Sequence, residues 1–162
     1  MRNFAIKIND KIYWISRSVA TVGFIFCNLN NKWMVLAAKR GEGAADFQGL
    51  WNCPCGYLDY DETLTQCCAR EIREETGFFI SDEALHFDSI NDDIAENHQN
   101  IIIRFYGTIS YGQCKYVSRI PRGGEPNEVE EVKWISVANI DNYQWAFNHD
   151  KLIKEIFNKY IK

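Results

Sequence analysis

No stretch of this chain approaches the ~20 consecutive apolar residues needed to cross a bilayer as a helix. The longest apolar runs, around Val22 to Cys27 and Ile101 to Ile103, have strand length. The first ten residues mix charge with single apolar side chains and contain no apolar leader segment. A cytoplasmic protein with no membrane association is expected. Six cysteines are present, yet no C-x-x-C pair occurs; Cys53 and Cys55 are one residue apart, and Cys67 and Cys68 are adjacent. With no histidine pair at zinc-finger spacing, a structural zinc is excluded and the cysteines read as reduced thiols. Basic residues are not in excess: 18 Lys and Arg stand against 22 Asp and Glu, a net charge of -4. There is no overall field for nucleic acid or an acidic membrane, and no nucleic-acid partner is expected. A polyphosphate ligand is still compatible, because a bound cation reverses the local sign. Repeats, low-complexity tracts and Ser/Pro linkers are missing too. Residues 1–162 therefore read as one domain, long enough to bury a core.

What is present is ordinary globular material, 46% hydrophobic and 25% charged, arranged in recognisable elements. Thr21 to Asn28 and Trp33 to Ala38 are β-branched or apolar runs flanking the turn-forming Asn28 to Lys32, which predicts a hairpin. Arg40 to Gly49 is a glycine-bearing loop, and Leu50 to Asn52 a short strand. A helix is predicted from about Glu62 to Thr76, started by the pair Asp59 and Glu62 and stopped by Gly77. Leu64, Cys68 and Ile72, spaced by four with Cys67 alongside, form its buried stripe. Strands are predicted over Leu85 to Ile90, Asn100 to Ile109 and Val129 to Ile135, a loop over Ser118 to Asn127, and a closing helix over Asp150 to Tyr160. This irregular alternation implies a mixed sheet with helices against it.

The predicted helix is dense in carboxylates. Glu71 is a face neighbour of both Glu74 and Glu75, and Arg70 lies one turn before Glu74. Three acids on one face repel unless a cation or protons intervene, and oxygen donors of this kind select Mg²⁺ or Mn²⁺ over zinc. Alone, such a cluster would be a solvated helix face. Its surroundings decide otherwise. Gly56, Glu62, Arg70-Glu71, Ile72, Glu74-Glu75, Gly77 and Phe78 resemble, position for position, the Nudix box G-x5-E-x7-R-E-U-x-E-E-x-G-U, with U apolar. Seven fixed residues at ~6% each would arise by chance on the order of once in a million such chains. The approach Leu50-Trp51-Asn52-Cys53-Pro54-Cys55-Gly56 resembles W-x-x-P-G-G, with Cys55 where the first glycine belongs. A side chain there limits backbone freedom.

The resemblance implies an α/β/α sandwich around a mixed sheet. It also implies hydrolysis of a diphosphate bond in a nucleoside diphosphate linked to another moiety, with Mg²⁺ or Mn²⁺ as cofactor and a nucleotide-like small molecule as substrate. Carried over residue by residue, Glu71 and Glu75 are first-choice metal ligands, Glu74 a third ligand or helper, and the Gly56 carbonyl a further one. Arg70 would orient the glutamates, and Glu62 would be structural. The general base varies in the family; a box glutamate such as Glu71 or Glu74, or an acid on a later loop, can fill that role. In the last case Glu128 is the choice over Glu130 and Glu131, because it lies next to the Gly/Pro loop and can face the helix. Lys39 and Arg40 are candidate phosphate contacts at a strand end, as are Arg119 and Arg122 in the loop before the last strand. Phe47 and Trp51 could stack on a base, although aromatic residues are more often core. His86, His98 and His149 show no partner spacing and read as surface. ADP-ribose-like diphosphates, sugar nucleotides and nucleoside triphosphates all stay open as substrates, and so does a homodimer. The alternative from another class is a non-catalytic nucleotide sensor on the same fold.

Overall fold

The computed structural model describes residues 4–95, 99–114 and 127–162. The N-terminal strands β1 (Phe4–Ile8) and β2 (Lys11–Ile15) form a two-stranded antiparallel sheet of their own, with Asn9 and Asp10 at positive φ in the turn. No such hairpin is expected from the sequence. Both of its faces are solvent-facing, with Ile12 66% and Trp14 73% exposed, so no burial period marks it.

The main sheet has seven strands among the described residues. Its path runs β5 (Trp51–Asn52), β4 (Lys32–Arg40), β3 (Ser18–Leu29), β8 (Asn100–Ile109) and β7 (His86–Asn91). In addition, β6 (Cys55–Tyr57) pairs with β3, and β9 (Val129–Ser136) pairs with β4. The β3–β8 pair is parallel and its neighbours antiparallel, so the sheet is mixed. Asn30 and Asn31, both at positive φ, make the β3–β4 turn expected from asparagine chemistry.

Alternation sorts the side chains of β3 and β4 onto two faces. Ile25, Leu36, Ile103 and Phe105 meet Cys68 and Ile72 of helix α1 (Leu64–Thr76). Val22, Phe24, Phe26, Val35 and Ala37 pack on the other side against Ile153 and Ile156 of α3 (His149–Ile156). A short helix, α2 (Tyr111–Cys114), follows β8. The result is the expected α/β/α sandwich.

Helix α1 begins two residues later than the sequence suggests. Thr63 is its N-cap, in a reciprocal box with Gln66: each residue's side chain accepts from the other's backbone N–H. Glu62 does accept from the Asp59 N–H, at 2.9 Å, but within the turn before the helix. Thr63 and Gln66 have the same three-residue spacing, and their caps satisfy the true first turn. Gly77 closes the helix at φ 67°, as expected. The closing helix runs His149–Ile156 and then widens to π-type over Phe157–Ile161.

Candidate active site

Segment 51–57 runs past the C-terminal turns of α1 and is held from both sides. Trp51 bonds through its backbone to Gln144 and Ala146, Gly23 N–H donates to the Pro54 carbonyl, and Cys53 N–H donates to His149 Nδ1 at 2.9 Å. The segment then faces the acids. Glu75 is 3% exposed; its Oε1 accepts from Cys55 N–H at 3.1 Å, and Asn52 Nδ2 lies 3.5 Å from its Oε2. Cys55 lies in β6 with ordinary extended backbone, outside the positive-φ residues. The side chain that replaces glycine therefore strains nothing, and the part of residue 55 that the acid uses is its N–H.

Gly56 is needed for a different reason. A Cβ built on it would lie 2.2 Å from the Glu71 carboxyl carbon. No side chain fits there while Glu71 keeps its place in the grip of Arg70.

The three helix acids do not share one environment, as the sequence suggests they should. Glu74 turns outward to Arg70 at 3.0 Å, while Glu75 turns inward to segment 52–55. Arg70 is the hub. It reaches Glu71 at 2.6 Å, Glu62 at 2.7 Å and the Tyr57 carbonyl at 2.9 Å. Hydrogen bonds from Arg70 hold the Glu62 carboxyl down at about 2. Glu71 moves the other way: burial raises it, and the charges of Glu74 and Glu128 add to that against the pull of Arg70. Glu75 is pushed up to about 8, first by burial and then by Glu71 and Glu128, against the Cys55 N–H bond and the charge of Arg40. Burial likewise pushes the Cys53, Cys55 and Cys68 thiols well up, so they stay protonated at neutral pH. The thiols are therefore poor cation ligands here, which leaves the carboxylate oxygens as the candidate donors.

Glu128 falls within electrostatic reach of both Glu71 and Glu75. Its backbone is pinned to the loop after β4, where Gly41 N–H donates to the Glu128 carbonyl at 2.7 Å and Gly43 N–H to that of Asn127 at 2.9 Å. Glu130 and Glu131 are drawn elsewhere, to Lys39 and Lys133 at 2.8 and 2.9 Å. Lys39 is thus occupied by a surface acid. Arg40 is buried at the strand end, bonded to Asp46 by Nε and Nη2, with its guanidinium 5.2 Å from the Phe147 ring centroid. Arg119, Arg122 and His98 lie outside the described residues.

One expectation needs correction. His149 is not a surface residue: it is 4% exposed, and burial lowers its ring to about 3, so it is a neutral acceptor for Cys53 N–H. Trp51 takes the commoner aromatic role: it is core, packed edge-on to Tyr143, and offers no open face beside the acids. Reasoning from sequence also missed Asn52, Asp46 and Phe147. Asp46 is the one with a visible signal, an acid six residues after Arg40 in a glycine-rich loop.

The acids fit a hard divalent cation in kind and charge: crowded, partly buried carboxylates with raised affinity for protons. They are not closed into a cage, since among the described residues no three His, Cys, Asp or Glu side chains converge as a ready metal site.

Residues 17–156 match the NUDIX domain. Phosphatase NudJ of Escherichia coli K12 is 33% identical over 93 residues, which is 57% of this chain; the match spans 56% of NudJ, little more than half its length. Among solved structures, the NUDIX domain of Shewanella oneidensis NrtR complexed with ADP ribose aligns with a TM-score of 0.75 at 21% identity, covering 90% of this chain and 89% of that one. A bifunctional NMN adenylyltransferase/ADP ribose pyrophosphatase from Francisella tularensis, complexed with AMP and a Mn ion, aligns at 0.68 and 22%, over 89% of this chain and 42% of the other. With the box glycine pressed on Glu71 and the box arginine gripping the box acids, the chain belongs to the Nudix family.

Proposed function

We propose that this protein hydrolyses a diphosphate bond in a nucleoside diphosphate linked to another moiety, with Mg²⁺ or Mn²⁺ as cofactor. Residues 1–162 act as a single Nudix hydrolase domain in the cytoplasm. The observation that carries the reading is the pair of box acids along segment 55–56: Glu71 pressed on Gly56, and Glu75 buried against the Cys55 N–H, in a place too dry to leave both charged without a cation. A divalent cation held there would neutralise phosphate oxygens and activate water. Glu71 and Glu75 would hold it, with Glu74 and the Gly56 carbonyl as further donors.

The chain's own groups do the rest. Arg70 fixes the orientation of Glu71 and Glu74 through charge-assisted bonds. Cys55 N–H and Asn52 orient Glu75. Glu128, whose charge reaches both Glu71 and Glu75, would accept a proton. Arg40, whose charge reaches Glu75, would meet a substrate phosphate, and Arg122 would be a further contact. ADP-ribose-like molecules head the substrate order because one fold neighbour is complexed with ADP ribose and another is an ADP ribose pyrophosphatase. Sugar nucleotides and nucleoside triphosphates follow.

The test is product release from a panel of these nucleotides with Mg²⁺ and with excess chelator. Turnover that needs the cation supports the reading; undiminished turnover in chelator sinks the mechanism. The NrtR neighbour keeps a second reading in view, since another structure of that protein is complexed with a 27mer DNA. Tight nucleotide binding with no turnover of any member would favour a sensor.

A further inference from the structure

Two phenylalanines on separate loops meet next to Arg40. Phe47 belongs to the loop after β4 and Phe147 to the segment just before α3. Their ring centroids are 4.9 Å apart at 70°, and both rings reach solvent, with Phe47 49% and Phe147 37% exposed. Arg40 joins the pair to the acid cleft. Its guanidinium lies over Phe147, its carbonyl accepts from Gly49 N–H, and the next residue, Gly41, holds the Glu128 backbone.

Both phenylalanines have left-handed backbone, φ 48° and 58°, and Asn148 follows at 55°. For a bulky side chain this conformation is unfavourable and rare. The surrounding bonds enforce it: Leu50 N–H closes on the Phe47 carbonyl, and Ala146, just before Phe147, is tied to Trp51. A ring pair that served only to fill a core would be covered. This one is held at a backbone cost and left open to water, next to a buried arginine.

We propose that Phe47 and Phe147 form a stacking subsite for the nucleobase of the substrate. Arg40 then lies between that base and the acids, where the phosphates would run. This inference rests on the nucleotide reading above and sharpens it. An aromatic base gains affinity from the ring faces whatever its hydrogen-bonding edge, so the subsite selects nucleotides over other diphosphates without strict choice of base.

The experiment compares calorimetric titration of AMP, GMP, CMP and UMP with ribose 5-phosphate in Mg²⁺ buffer, where a monophosphate offers no diphosphate bond to cut. The proteins are the wild type and the double variant Phe47→Leu, Phe147→Leu; leucine keeps apolar bulk and the same backbone penalty but has no ring. In the wild type at least one nucleotide should bind roughly 5- to 150-fold tighter than ribose 5-phosphate, the range of one stacked base. In the double variant that ratio should fall to within about twofold. If the double variant does not fold, Phe47→Leu alone should still cut the ratio by at least about threefold. A wild type with no preference for any nucleotide, or no nucleotide binding, overturns the subsite. So does a folded variant that keeps the ratio, in which case the rings only staple two loops. Failure of the hydrolysis reading would look different: the ratio would collapse in the variant while no substrate is cut.

Discussion

Helix α1 and strand β9 carry acids in similar density but treat them in opposite ways. On β9, Glu130 and Glu131 are half exposed, and each has a lysine within 3 Å. On α1, Glu75 is buried with no cationic side chain among the described residues bonded to it, and Glu71 shares Arg70 with two other glutamates. The first arrangement leaves the carboxylates as water would have them. The second raises their protonation and leaves their charge unsatisfied. The residue type is the same, so burial and the choice of partner distinguish the solvated face from the proposed cation site.

The strongest way to break this comparison is to remove one charge at a time. Glu71→Gln and Glu75→Gln should each lower kcat/KM for nucleotide hydrolysis by at least ~10²-fold, the scale of a lost electrostatic or acid-base group. Near-normal rates in both would mean that α1 is not where the chemistry occurs. Gly56→Ala should come next, driving Glu71 from its place and costing about 1–3 kcal/mol of stability by overpacking, as read by denaturant unfolding. Glu128→Gln should slow turnover several-fold more than Glu131→Gln, on the ~10²-fold scale that bounds a general base; equal effects would put Glu128 with the solvated acids.

A smaller effect should be visible without substrate. The Glu75 carboxyl has an ordinary value of 4.5 and is raised to about 8 in the fold. Between those values the folded chain keeps a proton that the unfolded chain has released. Its stabilising contribution is full below 4.5 and is lost as pH rises through about 8. His149 runs the other way. Lowered from 6.5 to about 3, it contributes fully above 6.5, and that contribution is lost as pH falls towards 3. Between pH 6.5 and 8 Glu75 dominates this pair, so in chelator the wild type should melt higher at pH 6.5 than at pH 8. Glu75→Gln should flatten that difference and raise Tm at pH 8. An unchanged pH slope in the variant would assign the effect elsewhere. The smallest change is expected from Lys39→Ala, within ~0.5 kcal/mol, because its ion pair is a surface one.

How far the sequence carried depended on whether a residue's role is local. Helix α1 was legible because its stripe, its acids and Gly77 follow one helical period. Strands β3, β4 and β8 were legible because β-branched and aromatic runs are bounded by turn residues. The box was legible because its spacing is fixed. His149 was not, since its partner, the Cys53 N–H, lies 96 residues away and no periodicity announces a buried acceptor. Phe147 was hidden for the same reason, meeting Phe47 only across two loops. The Thr63 cap was overlooked because Asp59 and Glu62 offer the same spacing one turn earlier, and only the hydrogen bonds choose between them. The β1–β2 hairpin was missed because its apolar residues are not buried by anything described.

Cys55 and Gly56 are neighbours with opposite evolutionary freedom. At position 55 the fold asks only for an extended peptide with an N–H to give Glu75; at position 56 it asks for the absence of a side chain. The backbone demand at 55 excludes only proline, with a side chain small enough to pack against the core beside Asn52; the demand at 56 is met by glycine alone. A search pattern that insisted on glycine at both places would pass over this chain while the backbone it looks for is intact.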